Sequence, residues 1–112
     1  MAKAAYFQRG EALDYTNGTG SAIDAGTVIV LGTKAKIAVA GCDIPAGATG
    51  SVFVEGVFEF PEKSGESAIA QGAPVYWDGS GITATATSNT PAGYAAAPSG
   101  ASATKIFVKI NA

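Results

Sequence analysis

Apolar and polar positions alternate along this chain in short runs, which is the pattern of half-buried β-strands. In the clearest run, residues 104–110, Ile106, Val108 and Ile110 share one face, while the intervening positions carry two lysines and a phenylalanine. This run predicts a strand with one buried face and one mostly solvent-exposed face. No window of a dozen residues keeps the apolar period of a helix without an interrupting Gly or Pro.

Similar runs predict further strands at 4–9, 27–31, 36–40, 51–60, 74–77 and 82–87. Gly56 interrupts one of them, and a lone glycine inside a strand often marks a bulge or a bend. Asn17-Gly18 and Asp78-Gly79 are typical of tight turns, since Gly adopts positive φ and Asn or Asp tolerates it. Closely spaced strands and turns predict an all-β domain, either a small barrel or a sandwich.

Part of this pattern recurs. Ser-Ala-Ile followed by Gly starts at residue 21 and again at residue 67, and Pro-Ala-Gly starts at residues 45 and 91, so both pairs are 46 residues apart. Residues 52–54 are similar to residues 106–108, at a separation of 54. We interpret these matches as a duplicated three-strand unit whose copies pack face to face. Each Ser-Ala-Ile-x-x-Gly segment is then expected to be a helical turn or tight loop that plugs a barrel end.

Composition narrows the possible functions. A chain of 112 residues predicts one domain, 1–112. Charged residues make up only 14% of the chain. This low content fits either a domain whose surface is partly covered by a partner or simply an Ala/Gly/Thr-rich β domain. The net charge of −2 and the scattered basic residues argue against nucleic-acid binding. No apolar run approaches the ~18 residues of a membrane span, and the N-terminal residues lack the apolar stretch of a secretory signal.

Candidate catalytic chemistry is sparse. The chain has no His, which excludes Ser-His-Asp and Cys-His catalysis and most zinc sites. Cys42 follows an apolar strand and is expected to be a reduced, partly buried thiol. Glu55 and Glu59 would lie about 13 Å apart on a regular strand, which is too far for a glycosidase pair. We therefore expect no catalytic residue, cofactor or metal site, and a small hydrolase is the remotest hypothesis.

Two aromatic pairs stand out instead. Tyr76 and Trp77 are neighbours in a predicted strand, so their side chains point to opposite faces. One is expected in the core and the other at a subunit contact or a sugar-stacking surface, unless the domain covers both. Tyr6 and Phe7 lie near the N-terminus, where residues are usually poorly ordered unless something holds them. Residues 1–10 are therefore expected to form an edge strand or an arm that docks on a partner.

Residues 55–78, EGVFEFPEKSGESAIAQGAPVYWD, carry a family resemblance. This stretch resembles the capsid cement, or decoration, proteins of tailed phages, formerly a family of unknown function. Residues 1–8, 26–32 and 106–110 are similar to other parts of that family's pattern, so the resemblance covers nearly the whole chain. One departure is Glu62, which stands between Pro61 and Lys63 and affects only the linker there.

The resemblance implies a non-enzymatic small β-barrel or β-tulip domain that acts without a cofactor. It implies a homotrimer on the outer surface of the virion capsid, made in the host cytoplasm, with the phage major capsid protein as partner and neither nucleic acid nor membrane bound. The candidate capsid or subunit contacts are Lys3, Tyr6, Phe7, Arg9, Tyr76 and Trp77. The alternative is a carbohydrate-binding β module on a virion surface that uses an exposed Trp77 as a stacking platform.

Overall fold

The computed structural model describes residues 2–112. Over these residues the protein is all-β, as predicted, with nine strands and no helix. The strands are β1 (Ala12–Thr16), β2 (Val28–Leu31), β3 (Lys36–Ala40), β4 (Thr49–Phe53), β5 (Val57–Pro61), β6 (Pro74–Trp77), β7 (Ile82–Thr83), β8 (Thr90–Ala95) and β9 (Lys105–Ile110).

The strands form two antiparallel sheets that pack against each other. The first sheet has the order β1-β4-β3-β2, and the second has the order β5-β9-β8-β6-β7. A single bridge between Glu62 and Ile82 brings β7 back towards the end of β5, where the Lys63 N–H donates to the Ile82 carbonyl at 2.9 Å. One bridge does not make a continuous barrel, so in the described residues the predicted barrel or sandwich takes the form of two packed sheets.

The two sheets repeat one topology. Strands β1, β2, β3 and β4 of the first sheet take the same positions as β5, β6, β8 and β9 of the second. Their registers agree where β2 and β6 begin, since Val28 pairs with Val39 just as Pro74 pairs with Tyr94, and they diverge after Val75, where the β6–β8 register shifts. The duplication is therefore present, but its unit has four strands rather than the three predicted. The connections differ in length, because residues 32–35 join β2 to β3 whereas residues 78–89 join β6 to β8.

The Ser-Ala-Ile segments are equivalent in the structure. Ile23 and Ile69 are both buried, and each forms an isolated antiparallel bridge, with Ile44 and Ser99 respectively. A tight turn and then a strand follow each of them. These segments are tight loops rather than helical turns, and each places one Ile into a core cluster.

The other two sequence matches were wrong in detail. Residues 45–47 form a turn, whereas residues 91–93 lie inside β8. The strand registers also make Val52 equivalent to Val108 rather than to Ile106, because each pairs with the last residue of the preceding equivalent strand. Ala, Gly and Pro recur often enough in this chain for short matches to arise by chance.

The strand predictions differ from the structure at four places, one of which is β8, a strand that was not predicted. The run 51–60 is split at Gly56, whose φ is +123°, and the chain crosses there from the first sheet to the second. The strand predicted at 4–9 does not form, and β1 takes its place at the sheet edge. The strand predicted at 82–87 ends at Thr83.

The core consists of two clusters that share β3. Ile37 and Val39 point from β3 into the larger cluster between the sheets, and Ala38 and Ala40 point into a smaller cluster under the loops of the first sheet. Strand alternation explains why one strand serves both. Asn111, which follows β9, fastens β3 to this core, since its Nδ2 donates to the Ile37 carbonyl at 2.7 Å and its Oδ1 accepts from the Ile37 N–H at 3.2 Å.

Candidate functional site

The N-terminal arm, residues 2–10, lies outside both sheets. It has no regular secondary structure, and all its side chains are exposed. Tyr6 and Phe7 are 83% and 89% exposed, and Arg9 Nη2 lies 3.7 Å from Glu11 Oε1 in a solvent-exposed ion pair. Large aromatic side chains left this open are typical of a surface that meets a partner. Lys3, Tyr6, Phe7 and Arg9 therefore all lie exposed on this arm.

Tyr76 and Trp77 are separated by the alternation of β6, as predicted. Trp77 is half-buried and packs against the larger core cluster, with its ring edge-on to Phe60 at a centroid distance of 6.1 Å. Tyr76 points to the opposite face. The two aromatics therefore belong to different surfaces. Both are on β6 of the second sheet, whereas the arm precedes β1 of the first sheet.

Tyr76 belongs to what we term the outer face, the side of the second sheet that points away from the core. Val57 and Phe107 are 56% and 48% exposed there. Tyr94 is half-buried beside Lys109, whose Nζ lies 5.9 Å from the Tyr94 ring centroid. The alternation in residues 104–110 predicts a mostly solvent-exposed face for Phe107 but does not distinguish it from its neighbours. The outer face became recognisable only when the strand order brought these residues together.

A cleft of about 320 Å³ opens beside Trp77. Its polar rim comes from the turn after β2 and the loop before β8, where Lys34 Nζ donates to the Ser88 carbonyl at 2.9 Å. The backbone N–H groups of Ser80 and Gly81 donate to Asp78 and hold the pKa of its carboxyl below the usual value. The residues lining this cleft are Val30, Lys34, Trp77, Asp78, Gly79, Ser88, Asn89 and Thr90.

A second depression, which we term the Phe groove, lies at the crossover between the sheets. Its volume is about 420 Å³, and its lining consists of Glu11, Phe53, Glu55, Gly56 and Phe58. The Phe53 and Phe58 rings lie 5.8 Å apart between centroids. In one regular strand these residues would face opposite sides, because their separation is odd. The bend at Gly56 brings them together, so strand alternation alone does not predict the groove.

The remaining candidate groups form no site. Cys42 is exposed, which corrects the prediction of a partly buried thiol: β3 ends at Ala40 and Cys42 lies in the following loop. Across residues 2–112, no group of three or more His, Cys, Asp or Glu side chains is placed to hold a metal ion. The same part of the chain contains no helix long and apolar enough to cross a membrane.

Comparison with known proteins gives one match. A family model described as phage cement protein matches residues 7–110. No curated protein and no solved structure matches the chain. The matched range includes the Phe groove, the Trp77 cleft and the outer face, together with the last residues of the arm.

Proposed function

The chain belongs to the phage cement protein family, and from that premise we propose that it binds the outer surface of a phage capsid as a homotrimer and stabilises the lattice. Family membership itself gives a structural role in the phage virion, which is not an enzymatic class. The proposal adds the trimer, the outer surface, contact with the major capsid protein and synthesis in the host cytoplasm. The observation that carries it is the family match over residues 7–110.

The physics of this role requires no reactive group. A trimer on a threefold site repeats one contact three times, and once the first contact forms the others become intramolecular. Avidity then exceeds the affinity of a single contact by roughly 10²–10⁴. A protein that binds the assembled lattice but not free subunits stabilises the lattice by mass action.

Two surfaces support the proposal. The first is the N-terminal arm, where Tyr6 and Phe7 are nearly fully exposed between Lys3 and Arg9. The second is the outer face, where Tyr76 and Phe107 provide apolar area beside lysines. We propose that both contact a neighbouring protein in the assembled particle. Trp77 has less surface to offer, because it packs against the core.

Replacing residues 2–9 by a Gly/Ser segment of equal length is expected to weaken co-sedimentation with expanded capsids by at least about tenfold, since every copy loses its aromatic and basic contacts. The far-ultraviolet circular dichroism spectrum should match that of the unchanged protein, because these residues lie outside the strands. Capsid binding equal to that of the unchanged protein would remove the arm from the interface. Mass measurement of the unchanged protein tests the trimer, and a monomer that ignores capsids contradicts the whole proposal.

The Trp77 cleft favours a second candidate function, carbohydrate binding on a virion surface. The Trp77 ring lies in this cleft with the polar residues Asp78, Ser88 and Asn89. A sugar ring could stack on the indole while its hydroxyls bond to this rim, which is the usual composition of a small-molecule site. The cleft lies between loops and leaves both the arm and the outer face free, so this function is compatible with the first.

If the cleft binds glycans, Trp77→Phe should reduce binding on a glycan array at least about tenfold, since the smaller ring offers less stacking area while its packing against Phe60 is largely kept. Tyr76→Ala is the matched control, because Tyr76 points to the opposite face and should leave glycan binding unchanged. An unchanged protein that binds no glycan on the array removes this candidate.

A further inference from the structure

The N-terminal arm and the Phe groove are chemically complementary. The arm carries an aromatic pair, Tyr6 and Phe7, flanked by the cations of Lys3 and Arg9. The groove carries an aromatic pair of its own and two carboxylates, Glu11 and Glu55. Aromatic rings pack favourably edge to face or offset, and basic side chains pair with carboxylates. The arm therefore has the composition that the groove would bind.

Both surfaces are unfilled in the single chain. Phe53 is 41% exposed at the groove, and Phe58 is half-buried. Within residues 2–112, Glu55 forms no ion pair, whereas Glu11 already lies near Arg9 of its own arm. The carboxylate of the groove without an ion pair is thus Glu55.

The arm does not fill the groove of its own chain, since Tyr6 and Phe7 are exposed. The Val54 N–H donates to the Glu11 carbonyl at 3.0 Å, and Ala12 pairs with Phe53, so Glu11 is fixed at the groove's edge. The arm leaves from this point with Tyr6 and Phe7 in solvent. The groove of the same chain is therefore left open, and the arm of another copy can enter it from outside.

We propose that the N-terminal arm of one copy docks in the Phe groove of a second copy, with Tyr6 or Phe7 against Phe53 and Phe58 and a basic arm residue against Glu55. This inference rests on the self-association in the proposed function. Each copy then offers one donor surface and one acceptor surface, which is a heterologous contact. Such contacts close into a ring when the rotation permits, and three copies form a trimer in which every arm is bound.

Disulfide cross-linking tests the docking. In a Cys42→Ser background, two differently tagged forms are co-expressed, one with Phe7→Cys and one with Glu55→Cys, and purified under mild oxidation. A disulfide-linked species that carries both tags is expected on a non-reducing gel. Asp24→Cys is the matched control for Glu55→Cys, because Asp24 is another exposed acidic residue that does not line the groove, and it should give little of this species.

The outcomes separate this inference from the proposed function. A trimer that co-sediments with capsids but yields no doubly tagged species overturns the docking and leaves the cement role intact. When expanded capsids are added to the mixture, a link from Phe7→Cys only to the major capsid protein also overturns it. A monomer overturns the docking and the trimer together.

Charge reversal gives a second readout that does not depend on cysteine chemistry. Arg9→Glu combined with Lys3→Glu should weaken self-association at least about tenfold by opposing Glu55. Adding Glu55→Lys to this variant should restore much of the loss, because attraction across the contact returns. A triple variant no tighter than the double variant contradicts the pairing.

Discussion

Gly93→Ala is expected to destabilise the protein by about 3–5 kcal/mol, the range of severe backbone or core defects. Gly93 lies in β8 with φ at +133°, where side chains are strained. An added Cβ would lie 2.0 Å from the Lys109 carbonyl oxygen. That oxygen belongs to the backbone of β9. The Asn111 N–H, just after β9, donates to the Ala92 carbonyl of β8 at 2.8 Å, so the two strands are held close together.

The measurement is urea unfolding followed by circular dichroism, and Gly100→Ala is the control. Gly100 has no atom within 4 Å of the position that a Cβ would take, and its φ is not positive. The free energy of unfolding of the Gly100→Ala variant should therefore stay within about 0.5 kcal/mol of that of the unchanged protein, as for most surface substitutions. Equal midpoints for the two variants would mean that β8 and β9 do not approach as described.

Asn17→Ala is expected to cost about 2–4 kcal/mol of the free energy of unfolding. Asn17 is completely buried, and its Nδ2 donates to the carbonyls of Ser21 at 2.7 Å and Ile44 at 2.9 Å. Its Oδ1 accepts from the Thr19 N–H at 3.0 Å. Removing the amide removes these three hydrogen bonds, each worth about 0.5–1.5 kcal/mol net, although the Ile44 carbonyl still accepts from the Ile23 N–H and the Ser21 carbonyl from the Thr19 hydroxyl.

Asn89→Ala provides the comparison for this loss. The Asn89 side chain donates to the Thr85 carbonyl at 2.9 Å, but that bond is exposed, so water can replace it. Chemical denaturation of the two variants should therefore separate them by about 2 kcal/mol or more. Similar losses for both would show that burial of the Asn17 amide is not what stabilises the loops over the first sheet.

The fold could be predicted where side chains alone define a strand. Residues 36–40 and 74–77 were predicted with the bounds that the structure has, because branched and aromatic side chains alternate or run together there. Strands β1 and β8 were missed. In β8, Pro91 and Gly93 indicate a turn, yet Pro91 lies beside an irregularity in the β6–β8 register, and a bulge is a site that tolerates proline in a sheet.

The candidate surfaces could be predicted only where they depend on local sequence. The choice of Tyr6 and Phe7 as candidate contacts follows from their position, and the separation of Tyr76 from Trp77 follows from strand alternation. The Phe groove depends on the bend at Gly56, and the outer face depends on which strands become neighbours, so neither is visible in the pattern. The family resemblance seen in residues 55–78 is confirmed by the family match over residues 7–110.

The unequal connections between equivalent strands have a practical consequence for engineering. The first sheet joins β2 to β3 through residues 32–35, whereas the second sheet takes residues 78–89 for the same step, of which 84–88 are exposed. The shorter half demonstrates that this step of the fold can be closed by a brief turn. We therefore expect the fold to tolerate a change in the length of segment 84–88. A foreign peptide inserted there would be displayed once per copy, and densely wherever many copies coat one particle.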